Sequence, residues 1–205
     1  MFEIELDLYN KKHKYIACID EVGRGCLYGE VVACALILPP YYNILGTKDS
    51  KKLSEKKRKF LYEYIVHNSI GLGLACVSPQ VIDQINIKEA TRLAMKNALE
   101  NLIINLKSDI RPSMVLIDAE TIDTNIPQMN LIKGDDLVHG ISAASIVAKV
   151  YRDNLCLKWD KENPGYDLAN NKGYGTKNHI SALNELGPSI NHRRTFIKKI
   201  LEGIK

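Results

Sequence analysis

Asp20 and Glu21 stand side by side at the end of an apolar, β-rich segment, Tyr15 to Asp20. Asp118 closes a second such segment, Met114 to Asp118, and Asp135 and Asp136 follow a third, Met129 to Lys133. The strand ends of an α/β sheet are where sites usually form. Carboxylates meeting at one point repel and raise one another's pKa. A hard divalent cation removes that cost and prefers oxygen ligands, so Mg²⁺ or Mn²⁺ is the natural occupant. Two such ions about 3.5–4 Å apart can activate water and stabilise the leaving oxygen of a phosphodiester. The alternative for any one acid is a solvated strand end. Neighbouring strand residues point to opposite faces. Glu21 is therefore expected either where the strand breaks or as a main-chain ligand.

Other chemistries find no support. GxxxxGK[ST], GxSxG and HExxH are absent and the five histidines are scattered, which argues against a P-loop nucleotidase, a serine hydrolase and a zinc protease. The five cysteines form no CxxC pair, so zinc-ribbon and disulfide frameworks fail on spacing, and reduced thiols are expected. Ser142 and Ser145 have no partnered base and read as helix-packing or phosphate-bonding hydroxyls. His192 reads as a hydrogen-bonded structural histidine.

The elements that must position the acids follow from periodicity. Val31 to Leu38 is a continuous apolar run that reads as a buried strand, and Ile70 to Val77 is another. Gly23, Gly25 and Gly29 make a tight connection between the first two strands. Ser54 caps a helix through about Asn68, with Leu53, Phe60, Leu61 and Tyr64 as its stripe. Ser78-Pro79 is an N-cap with proline at the first helical position. A helix near 88–104 presents Met95, Ala98, Leu99, Leu102 and Ile103. From Ile141 a helical stripe runs to Trp159, its small members allowing close approach to a sheet. Asn170 to Thr176 is a Gly-rich loop, Thr176 caps a helix ending at Gly187-Pro188, and a basic amphipathic helix covers 194–203. The pattern predicts an α/β core over 1–155 and a helical C-terminal extension over 156–205, together one structural unit.

The 205 residues are 45% hydrophobic and 25% charged, which excludes a disordered chain. The longest apolar run, Val31 to Leu38, is too short to span a membrane. Met1 to Asp7 is acidic without an apolar segment, so no signal peptide and a cytoplasmic location are expected. Net charge is +4, but Lys48 to Lys59 carries seven bases against two acids, and residues 149–205 carry 11 against 6. Such stretches suit a polyanion tracked along its backbone; solvated helix faces explain either one alone.

Ile19-Asp20-Glu21-Val22-Gly23-Arg24-Gly25 resembles the signature of the ribonuclease HII family. The resemblance continues in order through Asp49-Ser50-Lys51-Lys52-Leu53, Leu116-Ile117-Asp118, Lys133-Gly134-Asp135, the Ile141 to Val150 segment, Arg152-Asp153, Gly173-Tyr174-Gly175-Thr176-Lys177, Gly187-Pro188 and His192-Arg193-Arg194. It implies a ribonuclease H-like fold with a five-stranded mixed sheet flanked by helices. It also implies cleavage of RNA in RNA–DNA hybrids and 5′ to single ribonucleotides in duplex DNA, leaving 3′-hydroxyl and 5′-phosphate ends. The biological role would be removal of misincorporated ribonucleotides and RNA primers by a monomer. Asp20, Glu21, Asp118 and Asp135 match the family's metal-binding catalytic carboxylates, with Mg²⁺ or Mn²⁺, two ions in the substrate complex; Asp136 ranks lower. Gly23, Arg24 and Gly25 match the backbone that contacts the 2′-hydroxyl, and Tyr174 the tyrosine stacked at the RNA-to-DNA junction. Lys51, Lys52, Lys177, Arg193 and Arg194 match phosphate-binding positions. Cys26, Tyr28 and Glu30 replace the family's common proline, alanine and proline, and Ala119 a common glycine. Less proline and a bulky Tyr28 are expected to loosen the turn after Gly25. The competing readings are a hybrid-only or DNA-directed nuclease and a non-catalytic hybrid-binding module.

Overall fold

The computed structural model describes residues 3–42, 44 and 53–203. Asp49 to Lys52, including the expected phosphate ligands Lys51 and Lys52, lie outside them. Five strands, β1 (Ile16–Val22), β2 (Val31–Ile37), β3 (Gly71–Val77), β4 (Met114–Asp118) and β5 (Gln128–Leu131), form one sheet in the order β3-β2-β1-β4-β5. The β1–β2 and β2–β3 pairs are antiparallel, and β1–β4 and β4–β5 parallel. This is the expected mixed five-stranded sheet.

Both faces are covered, which is why β2 is buried at every residue. Ala17, Ile19, Ala33, Ala35, Val115 and Ile117 pack against Ala94, Met95, Ala98, Leu99 and Leu102 of α3 (Pro79–Asn105). A Cβ on Gly73 would come within 2.2 Å of the Ala98 carbonyl oxygen, so that glycine lets α3 lie directly on β3. The opposite face, with Cys34 and Leu36, meets Ala143, Ala144 and Val147 of α5 (His139–Glu162) and Leu61 and Ile65 of α2 (Glu55–Asn68). Each large buried side chain contributes roughly 1.5–3 kcal/mol by leaving water.

α3 contains a kink at Asn86, whose φ is +66°. The Asn86 Oδ1 accepts the N–H groups of Lys88 and Glu89 and so caps the second segment. The caps at Ser78 and the helix over 88–104 thus belong to successive segments of one element. On α2 the expected stripe shifts by about one residue. Leu61 and Ile65, four apart, are buried, whereas Phe60 lies a quarter turn away and is 66% exposed.

A short helix that the sequence pattern does not predict, α1 (Glu3–Asn10), precedes β1. Leu8 anchors it beside Ile16, Cys18, Leu116 and Ile141. The Glu5 carboxylate accepts the N–H groups of His139 and Gly140 at 3.0 and 3.1 Å, capping α5, which lacks a side-chain cap of its own. Burial holds the Glu5 carboxyl at a pKa of about 7 despite those bonds.

After β5 come α4 (Gly134–Leu137), α5, α6 (Leu168–Asn171), α7 (Lys177–Leu186) and α8 (Arg194–Glu202). α5 runs unbroken through residue 155. Its far end enters a cluster with Tyr28, Trp159, Tyr166 and Leu183, where the chain after Gly25 meets the C-terminal helices. Among the described residues no helix is long and apolar enough to cross a membrane.

Candidate active site

The parallel pairing of β1 with β4 ends at Ile19 opposite Ile117. Just beyond it stand Asp20, Glu21 and Asp118, and one carboxylate oxygen from each lies within 4.8 Å of the others. Asp20 shares the face of Cys18, toward α5, and Ser145 of α5 hydrogen-bonds to it. Its Oδ1 also accepts the Glu21 N–H at 2.7 Å. Asp118 is fixed by the Gly134 N–H, which donates to its Oδ1 at 2.7 Å.

Glu21 corrects the sequence expectation. β1 does not break there: Glu21 pairs with Ala33 and Val22 with Val32. The longer glutamate side chain instead brings its carboxylate to Asp20 and Asp118 where β4 no longer covers β1. Arg24 Nη1 donates to Glu21 Oε1 at 3.3 Å, while Glu21 Oε2 is buried with no protein partner.

Burial, then the charge of Glu21, pushes the Asp20 carboxyl well above its ordinary range. Burial raises Glu21 too, opposed by Arg24. Crowded carboxylates, two held by hydrogen bonds and one with a buried free oxygen, suit a hard divalent cation. Asp135 is buried in the first turn of α4 and Asp136 is exposed. The group of three does not include Asp135.

The acids lie in a cleft of about 330 Å³ that Gly23, Arg24, Gly25 and Tyr174 also line. Gly23 has φ of +94°, and a Cβ there would lie 2.3 Å from Arg152 Nε. Arg152 is fully buried and donates to the carbonyl oxygens of Tyr28, Glu30 and Lys172. It therefore ties the segment after Gly25 to the loop that carries Tyr174. The expected loosening of that segment is not found. Leu27 N–H donates to Gly173 and Gly29 N–H to Asn191. The Tyr28 ring is fully buried against Trp159 and His192. Packing and buried donors fix the segment at Leu27, Tyr28, Gly29 and Glu30.

Tyr174 is 41% exposed and in reach of Gly25. Lys177, at the start of α7, and Arg194, at the start of α8, are exposed. Arg193 is not available to a phosphate. It is fully buried, donating from Nε to Gly29 O at 2.9 Å and from Nη1 to Arg24 O at 2.8 Å. Arginine is seldom buried, so its residue type pointed to the surface. His192 is buried and hydrogen-bonded, as expected.

Two further cations, beyond those the sequence pattern points to, line the cleft wall, Arg58 of α2 and Lys149 of α5. Lys149 Nζ meets Asp153 at 2.7 Å and Arg58 Nη1 lies 3.8 Å from the same carboxylate. The basic run from Lys48 and the Ile141 to Val150 motif were the available signals.

Comparisons with known proteins identify the family and the fold. The family model described as Ribonuclease HII matches residues 17–199. The Ribonuclease HII of Alkaliphilus oremlandii is 55% identical over 199 residues, covering 97% of this chain and 98% of that protein. The ribonuclease H2 structure from Pyrococcus horikoshii superposes with a TM-score of 0.72 at 24% identity, covering 93% of this chain and 98% of that one. Bst-RNase HIII in complex with Mn²⁺ gives a TM-score of 0.74 at 15% identity, covering 94% and 71%. These two establish the fold. A match over nearly the whole sequence, with the acids, glycines and tyrosine on one cleft, makes this protein an endoribonuclease for RNA–DNA hybrids: the chain belongs to the ribonuclease HII family.

Proposed function

We propose that the enzyme cuts the RNA strand of hybrids and also incises duplex DNA 5′ to a single ribonucleotide, leaving 3′-hydroxyl and 5′-phosphate ends. The observation that carries this reading is the placement of Asp20, Glu21 and Asp118 in one cleft with Gly23–Gly25 and Tyr174. Such an activity would serve removal of misincorporated ribonucleotides and RNA primers. Its expected compartment is the cytoplasm, consistent with five free cysteines.

Asp20, Glu21, Asp118 and Asp135 would hold Mg²⁺ or Mn²⁺, two ions in the substrate complex; the Mn²⁺ complex of the RNase HIII relative is consistent with this. When bound, the ions activate water and stabilise the leaving 3′-oxygen. Ser145 and Gly134 hold Asp20 and Asp118 in place, so little reorganisation remains for the reaction. The Gly23–Gly25 backbone, kept free of side chains at its glycines, approaches the ribose and reads the 2′-hydroxyl, the group that distinguishes RNA from DNA. Tyr174 stacks on the sugar of the following deoxynucleotide. Arg58, Lys149, Lys177 and Arg194 meet backbone phosphates, which set register without reading sequence.

The test is a labelled duplex with one ribonucleotide, compared with a continuous hybrid and all-DNA duplex. Cleavage of the first two, 5′ to the ribonucleotide, with none of the third supports the proposal. Equal cleavage of all-DNA duplex overturns it in favour of a DNA-directed nuclease. Binding without cleavage in any divalent cation overturns it in favour of a binding module.

A further inference from the structure

Arg24 does not face Glu21 alone. The same Nη1 donates to Glu120 Oε1 at 3.2 Å, slightly closer than its 3.3 Å contact with Glu21. Glu120 is 7% exposed, and its second oxygen accepts from Arg92 Nε of α3 at 3.0 Å. Arg92 in turn meets Glu89 at 3.1 Å. Charges of alternating sign thus run from α3 to the cleft: Arg92, Glu120, Arg24, Glu21. Glu21 shares the strand face of Ile19, which packs against α3. It is the one acid of the three that must be brought round from that face.

The arrangement has a chemical consequence. An arginine free to form a two-pronged pair with Glu21 would occupy the oxygens a cation needs. Divided between two carboxylates, Arg24 leaves Glu21 Oε2 free. We infer that Glu120, braced by Arg92, is a positioning residue that limits Arg24 to a single-pronged contact with Glu21 and so keeps Glu21 Oε2 open to the divalent cation. The inference rests on the proposed metal role of Asp20, Glu21 and Asp118. Glu120 itself touches neither cation nor substrate.

The experiment is calorimetric titration of Mn²⁺ into the nucleic-acid-free protein, paired with cleavage assays over a range of Mn²⁺ concentration. Glu120→Gln releases Arg24 to Glu21. It should weaken Mn²⁺ binding about tenfold, the effect of roughly 1.4 kcal/mol of new competition. The half-saturating Mn²⁺ for cleavage should rise by the same factor, with kcat at saturating metal within about twofold of the parent. Arg92→Leu should produce a smaller shift in the same direction. Adding Arg24→Ala to Glu120→Gln removes the competitor and should restore Mn²⁺ affinity in the calorimeter. A structural defect would lower kcat or the melting temperature and would not be rescued by that second change. Unchanged Mn²⁺ affinity in Glu120→Gln, or no rescue in the double variant, overturns the inference while leaving the metal site intact. Asp118→Asn separates the two failures: if Mn²⁺ binding survives that change, the metal-site reading itself falls, and the inference with it.

Discussion

His179 and His192 face each other, Nε2 to Nε2, at 3.1 Å. The outer contacts fix both tautomers. His179 Nδ1 donates to the Tyr174 carbonyl at 2.9 Å, and His192 Nδ1 accepts the Ser189 N–H at 3.0 Å. His179 Nε2 is therefore the acceptor and His192 Nε2 the donor. The neutral pair fastens the Tyr174 loop to the segment before α8. Burial and the neighbouring imidazole lower the His192 pKa to about 4, and burial lowers His179. Unfolded histidines titrate near 6.5. The pair's stabilisation is thus fully present above that pH and is lost as pH falls toward about 4, by roughly 2–3 kcal/mol. Denaturation of the parent and of His192→Gln at several pH values should show their stability gap narrowing from pH 7 to 4. A constant gap would contradict a neutral pair.

Ala119 has φ of +51°, a conformation that L-residues with a Cβ resist. Asp118 precedes it and Glu120 follows, so the strained residue lies between two acids that face the cleft and its wall. Ala119→Gly should raise stability by about 0.5–1 kcal/mol, the relief of strain exceeding the added unfolded-state entropy. Urea unfolding would read this as a higher midpoint at unchanged slope; a lower midpoint would refute it.

Gly23→Ala should behave in the opposite way. The added methyl would run into the Arg152 guanidinium, in a backbone region alanine avoids. The expected cost is about 2 kcal/mol or more, with selectivity for single-ribonucleotide duplexes falling further than cleavage of long hybrid. Parallel melting and cleavage measurements test both halves.

Tyr174→Ala removes an exposed ring on the cleft rim and should scarcely alter the melting temperature. It should lower cleavage at isolated ribonucleotides about tenfold or more, the loss of one stacking contact, and reduce duplex binding less. An equal loss on every substrate would remove the junction-stacking role.

Much of this architecture was legible in the sequence because periodicity reports burial. The continuous run of β2, the stripe of α3 and the caps at Ser54, Ser78 and Thr176 all lie where pattern placed them. The strand-end acids were legible for the same reason. What pattern missed was polar and buried. Glu5 caps α5 from 134 residues away in sequence. Arg152 and Arg193 spend their charge on loop carbonyls inside the protein. Glu120 gains meaning only from Arg24 and Arg92, which the fold brings together. The convergence of Asp20 with Glu21 depended on where β4 stops covering β1, a tertiary fact that strand alternation argued against.

Asp118→Asn should separate stability from function. It removes one of three crowded carboxylates while retaining an oxygen to accept the Gly134 N–H. The metal-free variant should be more stable than the parent by about 1 kcal/mol. Its melting temperature should no longer rise with added Mg²⁺ or Mn²⁺, and cleavage should be abolished with hybrid binding retained. A metal-dependent shift equal to the parent's would contradict the assignment.

The most direct measurement is anomalous diffraction from crystals of the protein soaked in Mn²⁺. The account predicts a Mn²⁺ peak within coordinating distance of Asp20, Glu21 and Asp118, on the side of the cleft that faces Gly23 and Tyr174. A peak elsewhere, or ordered carboxylates with no Mn²⁺ among them at saturating concentration, would contradict the claim that these three acids are the metal centre.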